Sequence, residues 1–131
     1  MANEANLKQY AQQVLDLVNQ HRRASGLGDL SWRDDLYEVA KIRADEIATR
    51  SFSHTRPDGT DCGQLLDSRG LRWCSWGENL ADGQRSAQEV VNSWMSSAQH
   101  KANILNPAFK SLGVAAKEKG SGFDWVQVFY S

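Results

Sequence analysis

The chain has 131 residues, which is enough for one domain with a sizeable core but too few for two stable domains. Its 15 basic and 16 acidic residues give a formal net charge of -1, so it lacks the positive surplus that non-specific nucleic-acid binding requires. Hydrophobic residues make up 40% of the sequence, as in folded domains, yet no apolar run approaches the ~20 residues of a membrane span. We therefore expect a single domain over residues 1–131, with no nucleic-acid partner and no transmembrane segment.

The N-terminal residues lack the basic and apolar regions of an export signal. Two interpretations follow from the residues alone. The protein is either cytoplasmic, or it is exported and this sequence lacks the signal.

The first part of the chain shows helical periodicity. Apolar residues recur at three- and four-residue steps over residues 7–21 and again over residues 36–48. Ser31 is predicted to cap the second of these helices, because a serine side chain can accept a bond from a free N–H of the first turn. Three shorter helices are predicted over residues 63–69, 86–95 and 100–105.

The period changes towards strands later in the chain. Leu71–Trp76 is rich in large apolar residues, and Ser111–Lys117 and Phe123–Ser131 are joined by a predicted turn. The last strand carries apolar side chains on both faces, so both faces should be covered. The sequence therefore predicts an α+β fold, layered as an α/β/α sandwich with a central, mainly antiparallel sheet covered by helices on both sides.

The two cysteines, Cys62 and Cys74, bracket a short segment. A disulfide between them would contribute ~3 kcal/mol, and the alternative is two unpaired thiols. The residues alone leave both possibilities open. A structural zinc site is poorly supported, because the spacing is not that of a CxxC pair and His54 is the one histidine nearby.

Three polar stretches interrupt the apolar elements, and they contain His54, Glu78 with Asn79, and His100. Two imidazoles and a carboxylate from three segments can converge on a zinc ion that keeps an open coordination position. The same trio can also act in general acid–base chemistry, with the carboxylate orienting an imidazole.

Each of these residues also has an ordinary structural explanation. A histidine near a helix end is commonly a hydrogen-bonded polar residue, and a glutamate after a strand commonly anchors loop backbone. None of the serines lies in a GxSxG turn, so no serine nucleophile is indicated.

The order of the motifs resembles the CAP superfamily, which includes cysteine-rich secretory proteins, antigen 5, plant pathogenesis-related proteins and bacterial secreted relatives. The resemblance covers residues 10–130 and rests on the stretches Val18–Arg22, Leu30–Trp32, Phe52–Thr55 with Pro57–Gly59, Gly77–Ala81, His100–Pro107 and Leu112–Val114.

This resemblance implies a cleft lined by two histidines and two acids. The histidines correspond to His54 and His100, and one acid corresponds to Glu78. The position of the second acid, three residues after Trp94, is Ser97 in this chain, so the set is incomplete unless Asp58 or Asp61 substitutes.

The resemblance also implies an environment and a cofactor. Some members bind Zn²⁺ through the two histidines, which gives His54 and His100 as the expected metal ligands. Members are predominantly secreted or displayed at the cell surface, so we expect an extracellular or cell-surface protein without its export signal. A Cys62–Cys74 disulfide is then the expected state.

Two classes of function remain, besides a purely structural cell-surface role. The first is a binding module whose cleft takes a small molecule, lipid, peptide or cell-surface partner. The second is a zinc-dependent, peptidase-like hydrolase in which Glu78 is the general base and the two histidines are ligands. Because catalytic zinc sites generally have three protein ligands, the pair of histidines favours binding.

Overall fold

The computed structural model describes residues 3–131, which form five helices and four strands. In chain order these are α1 (Glu4–Ala24), β1 (Ser31–Trp32), α2 (Asp34–Thr49), α3 (Cys62–Ser68), β2 (Trp76–Gln84), α4 (Ala87–Met95), α5 (Ala98–Ile104), β3 (Ser111–Lys119) and β4 (Gly122–Tyr130). Within this part of the chain, no helix has both the length and the apolar character needed to cross a bilayer.

The four strands form one sheet in the order β1-β3-β4-β2. The short strand β1 runs parallel to β3, while β3–β4 and β2–β4 are antiparallel. The predicted α+β fold with a mainly antiparallel sheet is therefore confirmed. Because β2 ends the sheet on one side, its outer edge faces the loops and helices that carry the candidate site.

Helices cover both faces of the sheet, and β4 contributes to both cores. Trp125 and Phe129 lie in the core shared with α1 and α4, whereas Val126 and Val128 lie in the core shared with α2 and α3. This alternation follows from the period of two along a strand. It also explains why the sequence of β4 is apolar on both sides, and it confirms the predicted three layers.

Two predicted boundaries were wrong for identifiable reasons. Ser31 does not cap a helix, because it pairs with Ser111 as part of β1, and Arg33 precedes the first turn of α2 without a side-chain cap. The predicted strand over 71–76 begins at Trp76 instead. The preceding loop is fixed to the chain end, where the Cys74 N–H donates to the Ser131 carbonyl at 2.6 Å.

The expected Cys62–Cys74 disulfide is absent. Both cysteines are free, with Cys62 buried at the start of α3 and Cys74 exposed in the loop before β2. The Cys62 thiol lies beside the Glu78 carboxylate in the interior, away from the exposed Cys74. A short spacing along the chain therefore does not bring these two side chains together.

Candidate functional site

Glu78 lies at the centre of the candidate site, on edge strand β2. Its side chain points to the α2 side of the sheet and is 1% exposed. Arg43 of α2 binds it through one edge of the guanidinium group, with Nε 2.7 Å from Oε2 and Nη2 3.3 Å from Oε1. The carboxylate is thus held by a buried, two-point ion pair, which is the stronger geometry for arginine and carboxylate.

His54 lies above Glu78 in the loop between α2 and α3. Its Nδ1 is 2.8 Å from Glu78 Oε1, while the side chain is 63% exposed. Because an ionised carboxylate only accepts hydrogen bonds, Nδ1 carries the proton. The ring therefore presents its Nε2 atom away from Glu78.

His100 lies on α5. Its Nδ1 lies 2.9 Å from the hydroxyl of Ser97, which precedes the helix and makes no capping bond with its side chain. Burial lowers the pKa of His100, and the nearby His54 lowers it further. The structure thus forms two pairs, His54 with Glu78 and His100 with Ser97, and the two imidazoles are near enough for His54 to lower the pKa of His100.

Asn79 supports this arrangement from inside the protein. Its side chain is fully buried and donates to the His100 carbonyl at 3.1 Å and to Gln127 Oε1 at 3.0 Å. Asn103 of α5 in turn donates to Asn79 Oδ1 at 2.9 Å. Asn79 therefore fixes α5, and with it His100, to the sheet, and its side chain does not line the cleft.

Neither Asp58 nor Asp61 replaces the missing second acid. Asp58 accepts bonds from the N–H and hydroxyl of Thr60 within its own turn. Asp61 caps α3 by a reciprocal pair of bonds with Gln64. Both carboxylates thus stabilise local backbone, and among the described residues Glu78 is the acid that binds one of the two expected histidines, His54.

The surroundings of Glu78 also explain the charge state of its neighbours. Burial acts to lower the pKa of Arg43, but hydrogen bonds with Glu78 and Glu46 outweigh it and raise the pKa. Burial raises the pKa of the Cys62 thiol far above its usual range, and the charge of Glu78 adds to this. Cys62 is therefore a protonated, unreactive group.

The side chains of the candidate site could supply only some of the ligands that a metal ion requires. Throughout residues 3–131, no three His, Cys, Asp or Glu side chains are arranged to hold one ion. The two imidazoles are the available donors, since Glu78 is bound to Arg43. Structural zinc sites have four protein ligands and catalytic sites three, so His54 and His100 would supply part of a shell that water or a bound ligand completes.

Sequence reasoning missed Arg43, although the pattern of α2 contained a signal for it. Leu36, Ala40 and Ile47 lie on the buried face at steps that also include position 43. An arginine on the apolar face of a helix must find a buried partner. The identity of that partner could not be read from the pattern, because Glu78 is 35 residues away.

Comparison with known proteins agrees with this architecture. The family profile of CAP, the cysteine-rich secretory protein family, matches residues 15–129. An uncharacterised protein of Bacillus subtilis, YkwD, is 33% identical over 126 residues, which is 95% of this chain and 48% of the relative. The chain thus spans about half the length of this curated relative.

Solved structures give the same result. The crystal structure of an extracellular protein with an SCP domain from Bacillus anthracis superposes with a TM-score of 0.88 at 27% identity, over 99% of this chain and 44% of that one. An outer surface protein of Borrelia burgdorferi has a TM-score of 0.87 at 25% identity, over 100% and 98% of the two chains. Since the profile covers most of the chain and the fold is shared, the chain belongs to the CAP family.

Proposed function

We propose that this chain is an extracellular CAP binding module whose cleft takes its ligand through the imidazoles of His54 and His100. One observation supports this most strongly. Each ring uses Nδ1 for an internal partner, Glu78 or Ser97, so each has Nε2 left for a molecule in the cleft. The internal bonds fix the orientation of both rings before a ligand arrives, which reduces the entropy cost of binding.

The ligand is expected to be polar, because the cleft side chains are polar. Small molecules and peptides with hydrogen-bonding groups fit better than a lipid chain. The lowered pKa of His100 favours the neutral ring at physiological pH. When its Nδ1 donates to the Ser97 hydroxyl, the lone pair lies on Nε2, where it can accept from a donor or bind a divalent ion such as Zn²⁺. A bound ion would act as a bridge between the imidazoles and the ligand.

The geometry does not favour the hydrolase alternative. A general base must reach the water that it activates, whereas the Glu78 side chain is 1% exposed and its two oxygens bind Arg43 and His54. The two imidazoles also fall short of the three protein ligands of catalytic zinc sites. We therefore assign Glu78 a positioning role.

The extracellular environment is also part of the proposal. The neighbour from Bacillus anthracis is described as an extracellular protein, and that from Borrelia burgdorferi as an outer surface protein. A location outside the cell is consistent with a cleft that binds peptides, small molecules or cell-surface partners.

The proposal is tested by calorimetric titration of metal-stripped protein with ZnCl₂. We expect one-to-one binding with a micromolar or lower Kd, lost in both His54→Ala and His100→Ala. His21→Ala is the matched control, because His21 lies in the last turn of α1, outside the cleft. Binding that survives either cleft substitution, or no binding by the wild type, would contradict the two-imidazole site.

A further inference from the structure

The exposed ring of His54 is carried by a loop whose internal hydrogen bonds, such as that from the Thr55 N–H to Ser53 Oγ at 3.0 Å, do not join it to the rest of the protein. Residues 51–60 connect α2 to α3 without forming a helix or strand, and His54 lies within this segment. The bond to Glu78 orients the ring, but it does not fix the backbone that carries it. Two further sets of contacts, one on each side of His54, perform that task.

The first set holds the residue before His54. The Nη2 atom of Arg43 donates to the Ser53 carbonyl at 2.6 Å, and the same guanidinium group binds Glu78. A single buried side chain therefore fixes both the backbone next to His54 and the carboxylate that orients its ring. Arg43 is fully buried, so water does not compete for these bonds.

The second set holds the loop after His54. Arg56 binds Glu46, with Nη2 2.8 Å from Oε2 and Nε 3.1 Å from Oε1. Glu46 Oε1 also accepts from Arg43 Nη1 at 2.8 Å. Arg43 and Glu46 are three residues apart and therefore neighbours on one face of α2. Together they bind residues 53 and 56, on either side of His54.

Opposite charges alternate along this network, and the Asp58 carboxylate adds a further acid 3.6 Å from Arg56. Arg43 and Arg56 are positive, Glu46 and Glu78 are negative, and the side chains of Glu46 and Arg56 are 16% and 14% exposed. Ion pairs with so little exposure are weakly screened by salt. The network joins three parts of the protein, α2, the loop and β2, whereas the end of a helix or a turn would require only local bonds.

We infer that Arg43 and Glu46 are positioning residues that set the orientation of His54 in the cleft, by clamping its loop at Ser53 and Arg56. The inference deepens the proposed function and rests on it where His54 is taken as a ligand-binding group. Its structural part, the fixed orientation of the ring, is measurable without any ligand.

The experiment compares Glu46→Gln and Arg43→Lys with wild type by ¹⁵N NMR of the histidine ring nitrogens, in metal-free protein above pH 7. In the wild type we expect His54 to be fixed as the Nδ1–H tautomer. In both variants we expect its ring-nitrogen shifts to move towards the average of the two tautomers, while those of His100 stay unchanged. Glu38→Gln is the matched control, since Glu38 pairs with Lys41 at the same i,i+3 spacing on the exposed side of α2.

Zinc titration of the same proteins provides the second measurement. We expect Kd to rise at least about threefold in Glu46→Gln and to stay unchanged in Glu38→Gln, where about threefold corresponds to ~0.7 kcal/mol. An unchanged His54 tautomer in both Glu46→Gln and Arg43→Lys, with only a lower Tm, would overturn the inference. If the wild type binds no zinc, the proposed metal site fails, and the NMR comparison still decides the positioning role.

Discussion

At the scale of single residues, the candidate site depends on a buried ion pair, Arg43–Glu78, that takes no direct part in the proposed ligand binding. The side chains of Arg43 and Glu78 are both almost completely buried, and the ion pair between them offsets part of the cost of removing their charges from water. Burying such a pair is costly, and replacing both partners by apolar residues is often tolerated. The contacts of the pair support a positioning role, because Glu78 binds the ring of His54 and Arg43 binds the carbonyl of the residue before it.

Glu78→Gln tests this dependence. The substitution removes one of the two counter-ions of Arg43 and leaves Glu46, so we expect the free energy of unfolding to fall by up to about 3 kcal/mol, the lower end of the range for a broken buried pair. Urea denaturation followed by circular dichroism measures the change, with Glu38→Gln as the exposed control, expected within ~0.5 kcal/mol of wild type. Unchanged stability together with lost activity on any substrate would instead support a catalytic Glu78.

Asp124 shows the opposite situation, a buried carboxylate that is poorly compensated. It is fully buried, neither of its oxygens receives a hydrogen bond within the described chain, and Lys119 Nζ is 3.4 Å from Oδ2. Burial raises its pKa above the ordinary 3.8, and the charge of Asp82 raises it further. The folded state therefore binds the proton of Asp124 more tightly than the unfolded state does.

Asp124→Asn is accordingly expected to stabilise the protein in a pH-dependent way. Well below pH 3.8 the carboxyl is protonated in both states, so its ionisation adds no difference between wild type and variant. As the pH rises from 3.8 through the raised pKa, the wild type loses stability, so the advantage of the variant grows and then stays constant. Melting curves between pH 3 and pH 8 measure this. An advantage that shrinks as the pH rises would show that the charged form is stabilised instead.

At the scale of elements, the close packing of α2 on β3 fixes the helix against the sheet, and with it the hydrophobic core between them. A Cβ atom on Gly113 would lie 2.3 Å from the backbone carbon of Leu36 and 2.5 Å from the backbone nitrogen of Tyr37. Glycine is thus required because the helix backbone lies directly on the strand. This contact sets the height of α2 above the sheet, and therefore the distance from Arg43 to Glu78.

Gly113→Ala should destabilise the protein by about 1–3 kcal/mol, because helix backbone has to move to relieve the overlap. Differential scanning calorimetry gives the change in Tm. Gly28→Ala is the matched control, since nothing lies within 4 Å of its added Cβ and its φ is not positive. Equal Tm values for the two variants would mean that α2 can shift without loss, contrary to the argument.

The elements differ in how well the sequence predicts them. Local capping and periodicity predict two of the helices, α3 and α4, and the last two strands, β3 and β4. The structure has these four elements close to their predicted positions. β1 could not be predicted, because its two residues are a strand only through pairing with Ser111 and Leu112. Local patterns thus predict elements whose stability is local.

The candidate site divides in the same way. His54, Glu78 and His100 were selected from polar stretches and from the resemblance; in the structure Glu78 binds His54, and His54 lowers the pKa of His100. The contacts of Arg43 and Asn79 were not predictable, because they join residues far apart in sequence. The disulfide expectation failed for the same reason, since spacing does not report side-chain direction.

At the scale of the whole molecule, the fold also protects the edge that carries the site. β2 is the last strand of the sheet, and exposed edges invite pairing with other chains. Two of its carbonyls are bonded by side chains instead, that of Leu80 by Trp94 Nε1 at 3.1 Å and that of Glu78 by Asn103 Nδ2 at 3.4 Å. Helices α4 and α5, the second of which carries His100, thus also shield the edge strand.

The stability of the molecule should not depend on a covalent link, because both cores are built without one and the two cysteines are free. We expect Tm to change by less than ~1 °C on adding reductant, whereas a disulfide worth ~3 kcal/mol would shift it by roughly 10 °C. Iodoacetamide followed by intact mass analysis should add one group to the native protein, at exposed Cys74, and two after denaturation, when Cys62 becomes accessible. Cys74→Ser should remove the native label. A native mass lower by about two hydrogens, with a Tm that falls on reduction, would mean that the two segments move together in solution.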